Sequence, residues 1–199
     1  MQVLGNLLYV AVLILVTIIS GCPSGNSDDS SFPSSTQQAQ YVVFAWNDLG
    51  MHCLNPAYDQ AVILPPYNTV WAQVVKRGSP PQIVTSGITV SYTLAGNSSS
   101  YGKTDSYGGK FAQFWDNASL FGAAGLAHNT GLNLKTPATH NGLTGSMAVY
   151  GGDHFEAVGV PVVPVSDAGV WSPYQTMVLT VTDSAGTVPS STRATVPPP

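Results

Sequence analysis

Two segments of the chain carry apolar residues with a period of two, and this alternation constrains the fold more than any other feature. Residues 88–94 (ITVSYTL) place an apolar side chain at every second position, and residues 176–182 (TMVLTVT) do so at Met177, Leu179 and Val181. Successive side chains of a β-strand point to opposite faces of its sheet. Each segment therefore predicts a strand with one buried face.

Other parts of the chain add further strands and the turns between them. Segments rich in β-branched and aromatic residues predict strands over residues 41–46 (YVVFAW), 69–75 (TVWAQVV) and 155–163. Only 8% of the residues are charged, while 20 Gly and 15 Pro are present, a composition that opposes a helical bundle. The middle of the chain is rich in Gly and Asn, and one short helix is predicted over residues 111–120.

The end of the second alternating segment supports a sandwich of two sheets. Asp183-Ser184-Ala185-Gly186 predicts a turn, and the residues from Thr187 onward are expected to return as a closing strand. The TVTDSAGT sequence resembles the last hairpin of many bacterial immunoglobulin-like domains. We therefore predict a mainly β fold, an immunoglobulin-like β-sandwich with long Gly- and Asn-rich loops and one short helix.

The first 40 residues predict export and anchoring. Residues 7–19 form an unbroken apolar run, which has the length of a signal-peptide core, and Ile19-Ser20-Gly21-Cys22 follows. This tetrapeptide resembles the lipobox of bacterial lipoproteins, which implies cleavage before Cys22 and a lipid on its thiol. The expected organisation is a signal peptide over 1–21, a Ser/Pro/Gln-rich tether over 22–40 and one β-rich domain over 41–199. The alternatives are an ordinary signal peptide or an uncleaved anchor helix.

The residue after Cys22 indicates which membrane holds the protein, and the net charge of the chain argues against a nucleic-acid partner. Pro23 stands where an Asp would favour inner-membrane retention, so the resemblance to lipoprotein sorting signals indicates the outer membrane. The net charge is −4, and six Lys and Arg are scattered along the chain. They leave no basic patch for nucleic acid.

The chain has two cysteines, and this count draws attention to Met51-His52-Cys53. If Cys22 carries a lipid, Cys53 has no partner within the chain for a disulfide. Three interpretations remain. Cys53 is a small buried apolar residue, or it binds a soft metal such as copper together with Met51 and His52, or it is a nucleophile activated by a histidine, with Asp48 or Asp153 as the orienting group.

The metal interpretation needs a ligand from elsewhere in the chain. His154, beside Asp153, is the best candidate, and His140 and His128 come next. None of them has the short spacing from Cys53 that makes a copper or zinc motif specific. The chain has no CxxCH motif for covalent haem, no GxSxG and no HExxH. The predicted metal ligands are Met51, His52, Cys53 and His154, and the predicted cofactor is copper. No catalytic residue is assigned.

Five sequence blocks occur in a fixed order: WNDLGMHC (46–53), ILPPYNTVWAQVV (63–75), FWDNASLFG (114–122), GLTGSM (142–147) and FEAVGVPVVPVSD (155–167). Together they resemble a family of bacterial envelope proteins associated with multihaem cytochromes and extracellular electron transfer. The resemblance implies a place in the envelope and directs attention to Met51-His52-Cys53. It supplies no activity.

Two functions follow as expectations. The first is an envelope-anchored lipoprotein that acts as a binding or redox accessory module and holds copper at Met51-His52-Cys53. The second is a structural or partner-binding lipoprotein with a buried, inert Cys53. In both, the partners are the membrane, through the lipid, and envelope cytochromes or other surface proteins. Four aromatic residues are expected to be exposed for such association: Tyr101, Tyr107, Trp115 and Trp171.

Overall fold

Antiparallel strands are the main regular secondary structure of the computed structural model, which describes residues 40–48, 66–104, 108–136, 139–188 and 190–197. All of these residues belong to one compact unit, Ala39–Pro199. The strands in the described residues are β1 (Tyr41–Asn47), β2 (Asn68–Lys76), β3 (Gln82–Ile83), β4 (Ile88–Leu94), β5 (Thr144–Ser146), β6 (Ala148–Tyr150), β7 (His154–Val160), β8 (Gln175–Asp183) and β9 (Ser190–Val196).

The strands form two sheets. The first sheet has the order β1-β2-β7-β6, with β3 paired to β2, and the second has the order β5-β4-β8-β9. The two alternating segments of the sequence, β4 and β8, are neighbours in the second sheet, where Val90 pairs with Val181 and Tyr92 with Leu179. The predicted mainly β sandwich is confirmed.

The core lies between the sheets, and the alternation decides which side chains enter it. Val70, Ala72 and Val74 of β2 are fully buried, and every second residue of β4 and of β8 meets them. Burial of one such side chain contributes about 1.5–3 kcal/mol. Tyr92 is the polar member of this core: its hydroxyl donates to the carbonyl of Gly142 at 3.0 Å, and burial raises the pKa of the phenol.

A second apolar cluster lies under the long central loops. Helix α1 (Ala112–Asp116) and a 3-10 helix (Ala118–Phe121) stand where one helix over 111–120 is predicted. They bury Phe111, Phe114 and Trp115 against Leu132 and Val163. The indole nitrogen of Trp115 donates to the carbonyl of Thr130 at 2.7 Å. The expectation that Trp115 is exposed is wrong, because its ring fills this cluster.

Strand ends agree closely with the alternation, except at β7. The predicted strand over 155–163 ends at Val160, because Gly159 adopts a left-handed φ of 69° and the chain then turns. β3, β5 and β6, of two or three residues each, are not foreseen by the sequence. Within the described residues, no helix has the length and apolar character needed to cross a membrane.

Candidate functional site

Most of the predicted site residues fall outside the described part of the chain. Cys22, Met51, His52 and Cys53 are among them, as is Tyr107. The predictions of a lipid on Cys22 and of copper at Met51-His52-Cys53 therefore stay predictions. His154 is the one member of the predicted metal set that the structure describes.

His154 begins β7, and its ring lies largely buried on the outer face of the first sheet. Its side chain is 12% exposed, and Nδ1 lies 2.6 Å from Oδ1 of Asp153. Nε2 is buried and, within the described ranges, has no hydrogen-bond partner. The ring packs 4.4 Å from that of Trp71, centroid to centroid. A carboxylate at one imidazole nitrogen orients the ring and makes the other nitrogen a better ligand.

The other two candidate histidines have different surroundings. His140 is exposed, and its Nδ1 lies 3.0 Å from the carbonyl oxygen of Gly131. His128 stacks on the ring of Tyr101 at a centroid distance of 3.5 Å. In the described parts of the chain, no three His, Cys, Asp or Glu side chains lie close enough together to hold a metal ion.

Sheet register brings an aromatic and charged surface together around His154. In β2 the even-numbered residues enter the core, so Trp71 and Gln73 point to the outer face. One line of paired residues crosses all four strands as Trp46, Trp71, Glu156 and Ala148. In the neighbouring line, Tyr150 of β6 pairs with His154. We call the surface formed by Trp46, Trp71, Tyr150, His154, Glu156 and Lys135 the aromatic face.

Glu156 connects two residues of the aromatic face by hydrogen bonds. Its side chain is 5% exposed, and Oε1 accepts the indole N–H of Trp71 at 3.0 Å and the ammonium of Lys135 at 2.5 Å. The hydrogen bond to Glu156 raises the pKa of Lys135, whose Nζ also lies 4.4 Å from the centre of the Tyr150 ring. A buried carboxylate is stable here because two donors satisfy it.

The outer residues of the aromatic face keep much of their surface open. Trp46 is 41% exposed and packs edge-on against Trp71, with the ring centroids 6.1 Å apart. Tyr150 is 46% exposed and packs edge-on against His154. Exposed rings therefore lie on both edge strands of the sheet, and polar groups held in place lie between them.

Sequence reasoning missed most of this surface. The alternation of residues 68–76 could have placed Trp71 on the outer face of its strand, because its apolar neighbours Val70 and Ala72 occupy the opposite face. Nothing local indicates that Glu156, 85 residues away, pairs with Trp71. Lys135 reaches the site from a loop, and its contact with Glu156 has no sequence signal.

Comparison with protein-family models, curated proteins and solved structures gave no match. The first sheet brings residues from three separate sequence blocks together. Trp46 comes from the WNDLGMHC block, Trp71 from ILPPYNTVWAQVV and Glu156 from FEAVGVPVVPVSD, and the three lie on one register line. Residues 49–65, which connect β1 to β2, contain the remainder of the first block.

Of the remaining aromatic residues expected to be exposed, one is exposed and one is half-buried. Trp171 is exposed, next to exposed Val170 and near exposed Tyr174. Tyr101 is half-buried, because His128 covers one face of its ring and Trp115 contacts its edge. Partner binding through Tyr101 and Trp115 together is therefore disfavoured, and the aromatic face is the stronger candidate surface.

Proposed function

We propose that this chain is a binding module, held at a bacterial envelope by a lipid on Cys22, that takes its ligand on the aromatic face. One observation carries the proposal: Trp71, His154 and Glu156 are locked together between the exposed rings of Trp46 and Tyr150. Aromatic side chains supply large contact area at low conformational cost, which is why they dominate recognition surfaces.

The rigidity of the aromatic face supports binding over a purely structural role. Glu156 holds Trp71 and Lys135, and Asp153 holds His154. Groups fixed before the ligand arrives lose little freedom on binding, so more of the contact energy appears as affinity. A structural role alone does not account for exposed rings on both edge strands.

The proposal is tested by cosedimentation of the purified full chain with envelope fragments, with Cys22→Ser in every protein compared so that the lipid does not supply the attachment. We expect the Trp46→Ala and Tyr150→Ala variants to bind about tenfold more weakly, as for loss of a central aromatic contact. Trp171→Ala is the matched control, because Trp171 is also exposed but lies outside the aromatic face. Equal binding by all three variants and the parent chain refutes the proposal.

A soft-metal site is the second candidate function, and His154 is the observation that favours it. A buried imidazole nitrogen that has no hydrogen-bond partner among the described residues, on a ring oriented by Asp153, suits coordination to a metal. Met51, His52 and Cys53 supply the thioether, imidazole and thiolate that copper accepts. Copper bound there gives the envelope module a redox-active group.

Metal analysis of the purified protein tests this second candidate. We expect about one copper per chain, a thiolate-to-copper absorption band, and loss of both in Cys53→Ala and His154→Ala. His128→Ala is the control, because His128 stacks on Tyr101 instead. Rapid reaction of Cys53 with a thiol reagent in the as-isolated protein contradicts the metal site and leaves the ligand-binding proposal intact.

A further inference from the structure

The layout of the aromatic face suits a long, flat ligand. Trp46 lies on β1 and Tyr150 on β6, at opposite edges of the four-stranded sheet. Three strand spacings separate these strands, a distance of about 14 Å. A single small ring cannot contact both side chains, whereas a chain of several linked rings can cross the sheet from one edge to the other.

The polar groups between the rings offer both kinds of hydrogen bond. Lys135 is 44% exposed and carries donors, while the carboxylate of Asp153 is exposed and carries acceptors. Gln73, whose amide nitrogen donates to the backbone carbonyl of Asp153, is half-buried beside them. Hydroxyl groups both donate and accept, so a ligand with many hydroxyl groups matches this mixture.

The charged groups on the aromatic face already have partners. The ammonium of Lys135 is paired with Glu156, and Oδ1 of Asp153 lies 2.6 Å from Nδ1 of His154. An anionic ligand therefore competes with Glu156 for Lys135. Exposed aromatic rings with hydrogen-bonding groups between them favour an uncharged polar ligand over a phosphate or a sulfate.

We propose that the aromatic face binds an extended, uncharged glycan, with sugar rings against Trp46 and Tyr150 and hydroxyl groups hydrogen-bonded at Lys135 and Asp153. A pyranose ring has an apolar C–H face, which covers an indole or phenol ring, and a rim of hydroxyl groups. A chain of such rings lies across the four strands on the outer face of the first sheet. This inference rests on the proposed binding function and names its ligand class.

The glycan is identified by titrating four probes into the purified full chain and following tryptophan fluorescence. Two probes are uncharged, a β-linked glucan hexamer and an N-acetylglucosamine hexamer, and they separate an exopolysaccharide source from a peptidoglycan-like one. The other two are alginate, which is acidic, and a proline decamer, which represents a peptide ligand. We expect saturable binding of at least one neutral hexamer below about 1 mM, and no comparable binding of alginate or the decamer.

Variants assign that binding to the aromatic face. Trp46→Ala and Tyr150→Ala are each expected to weaken binding of the hexamer about tenfold, Trp46→Phe to restore most of it, and Trp171→Ala to have no effect. Far-UV circular dichroism checks that each variant is folded. Failure of both hexamers to bind, tighter binding of alginate or the decamer, or an undiminished affinity in both alanine variants overturns the inference. If Trp46→Ala still reduces binding to envelope fragments, only the glycan is refuted and the binding function stands.

Discussion

At the scale of single residues, Glu156 determines the arrangement of the aromatic face. We expect Glu156→Gln to lower the free energy of unfolding by about 1 kcal/mol, because the charged partner of Lys135 is lost while an acceptor for Trp71 remains. Lys135→Met removes the same ion pair but leaves a buried carboxylate with one donor fewer. It should therefore cost more than Glu156→Gln.

Urea unfolding of the two variants and the parent chain measures this order. A larger loss in Glu156→Gln than in Lys135→Met contradicts the view that Glu156 is ionised and held by Lys135. The same variants also separate the contribution of the ion pair to ligand binding from that of the rings. Both remove the pair between Lys135 and Glu156, and both leave Trp46 and Tyr150 unchanged.

At the scale of structural elements, the end of β7 depends on a close backbone approach. A Cβ on Gly159 would lie 1.6 Å from the carbonyl oxygen of Leu132, and Gly159 also has a φ of 69°. Gly169 has a similar φ of 72° but nothing within 4 Å of an added Cβ. We expect Gly159→Ala to cost more than about 4 kcal/mol, and Gly169→Ala about 1–2 kcal/mol from backbone strain alone.

Soluble yield and urea unfolding distinguish these two glycine variants. Absence of folded Gly159→Ala together with a folded Gly169→Ala agrees with the prediction. Equal losses in the two variants mean that the loop at Leu132 moves away at little cost, and that the left-handed φ of Gly159, not its contact with this loop, is what restricts the residue at this position.

The strands also show how much of the fold can be predicted from the sequence. β4 matches its predicted range residue for residue, because one buried face imposes a strict period of two. β5 and β6 lie in a Gly- and Asn-rich stretch with no such period and exist because β4 and β7 offer them free edges. The contact of Trp71 with Glu156 depends on the pairing of β2 with β7, which no local pattern encodes.

At the scale of the whole molecule, charged groups are few, so a single ion pair contributes measurably to the pH dependence of folding stability. Asp167 accepts hydrogen bonds from Lys103 at 2.8 Å and from the backbone N–H of Ser98, and these lower its pKa to about 2. A folded-state pKa below the usual value stabilises the fold above about pH 4 and loses that effect as pH falls toward 2.

Thermal unfolding of Asp167→Asn between pH 6 and pH 2 tests this dependence. The variant should melt below the parent chain at pH 6, and the difference should shrink from about pH 4 downward and be mostly lost by pH 2. Asp183→Asn is the comparison, because Asp183 accepts backbone N–H groups within its own turn, from Ala185 and Thr187. A difference for Asp167→Asn that stays constant with pH contradicts the contribution of the ion pair.

The placement of the whole molecule depends on Cys22, and one substitution separates anchoring from export. Cys22→Ser should abolish incorporation of labelled palmitate and release the protein from the membrane fraction in soluble form, because the lipid supplies the attachment. Export should continue, since the apolar run of residues 7–19 is unchanged. If the variant stays in the membrane fraction, residues 7–19 act as an uncleaved anchor. If the parent chain incorporates no palmitate, the lipobox interpretation is wrong and Cys22 is available to Cys53.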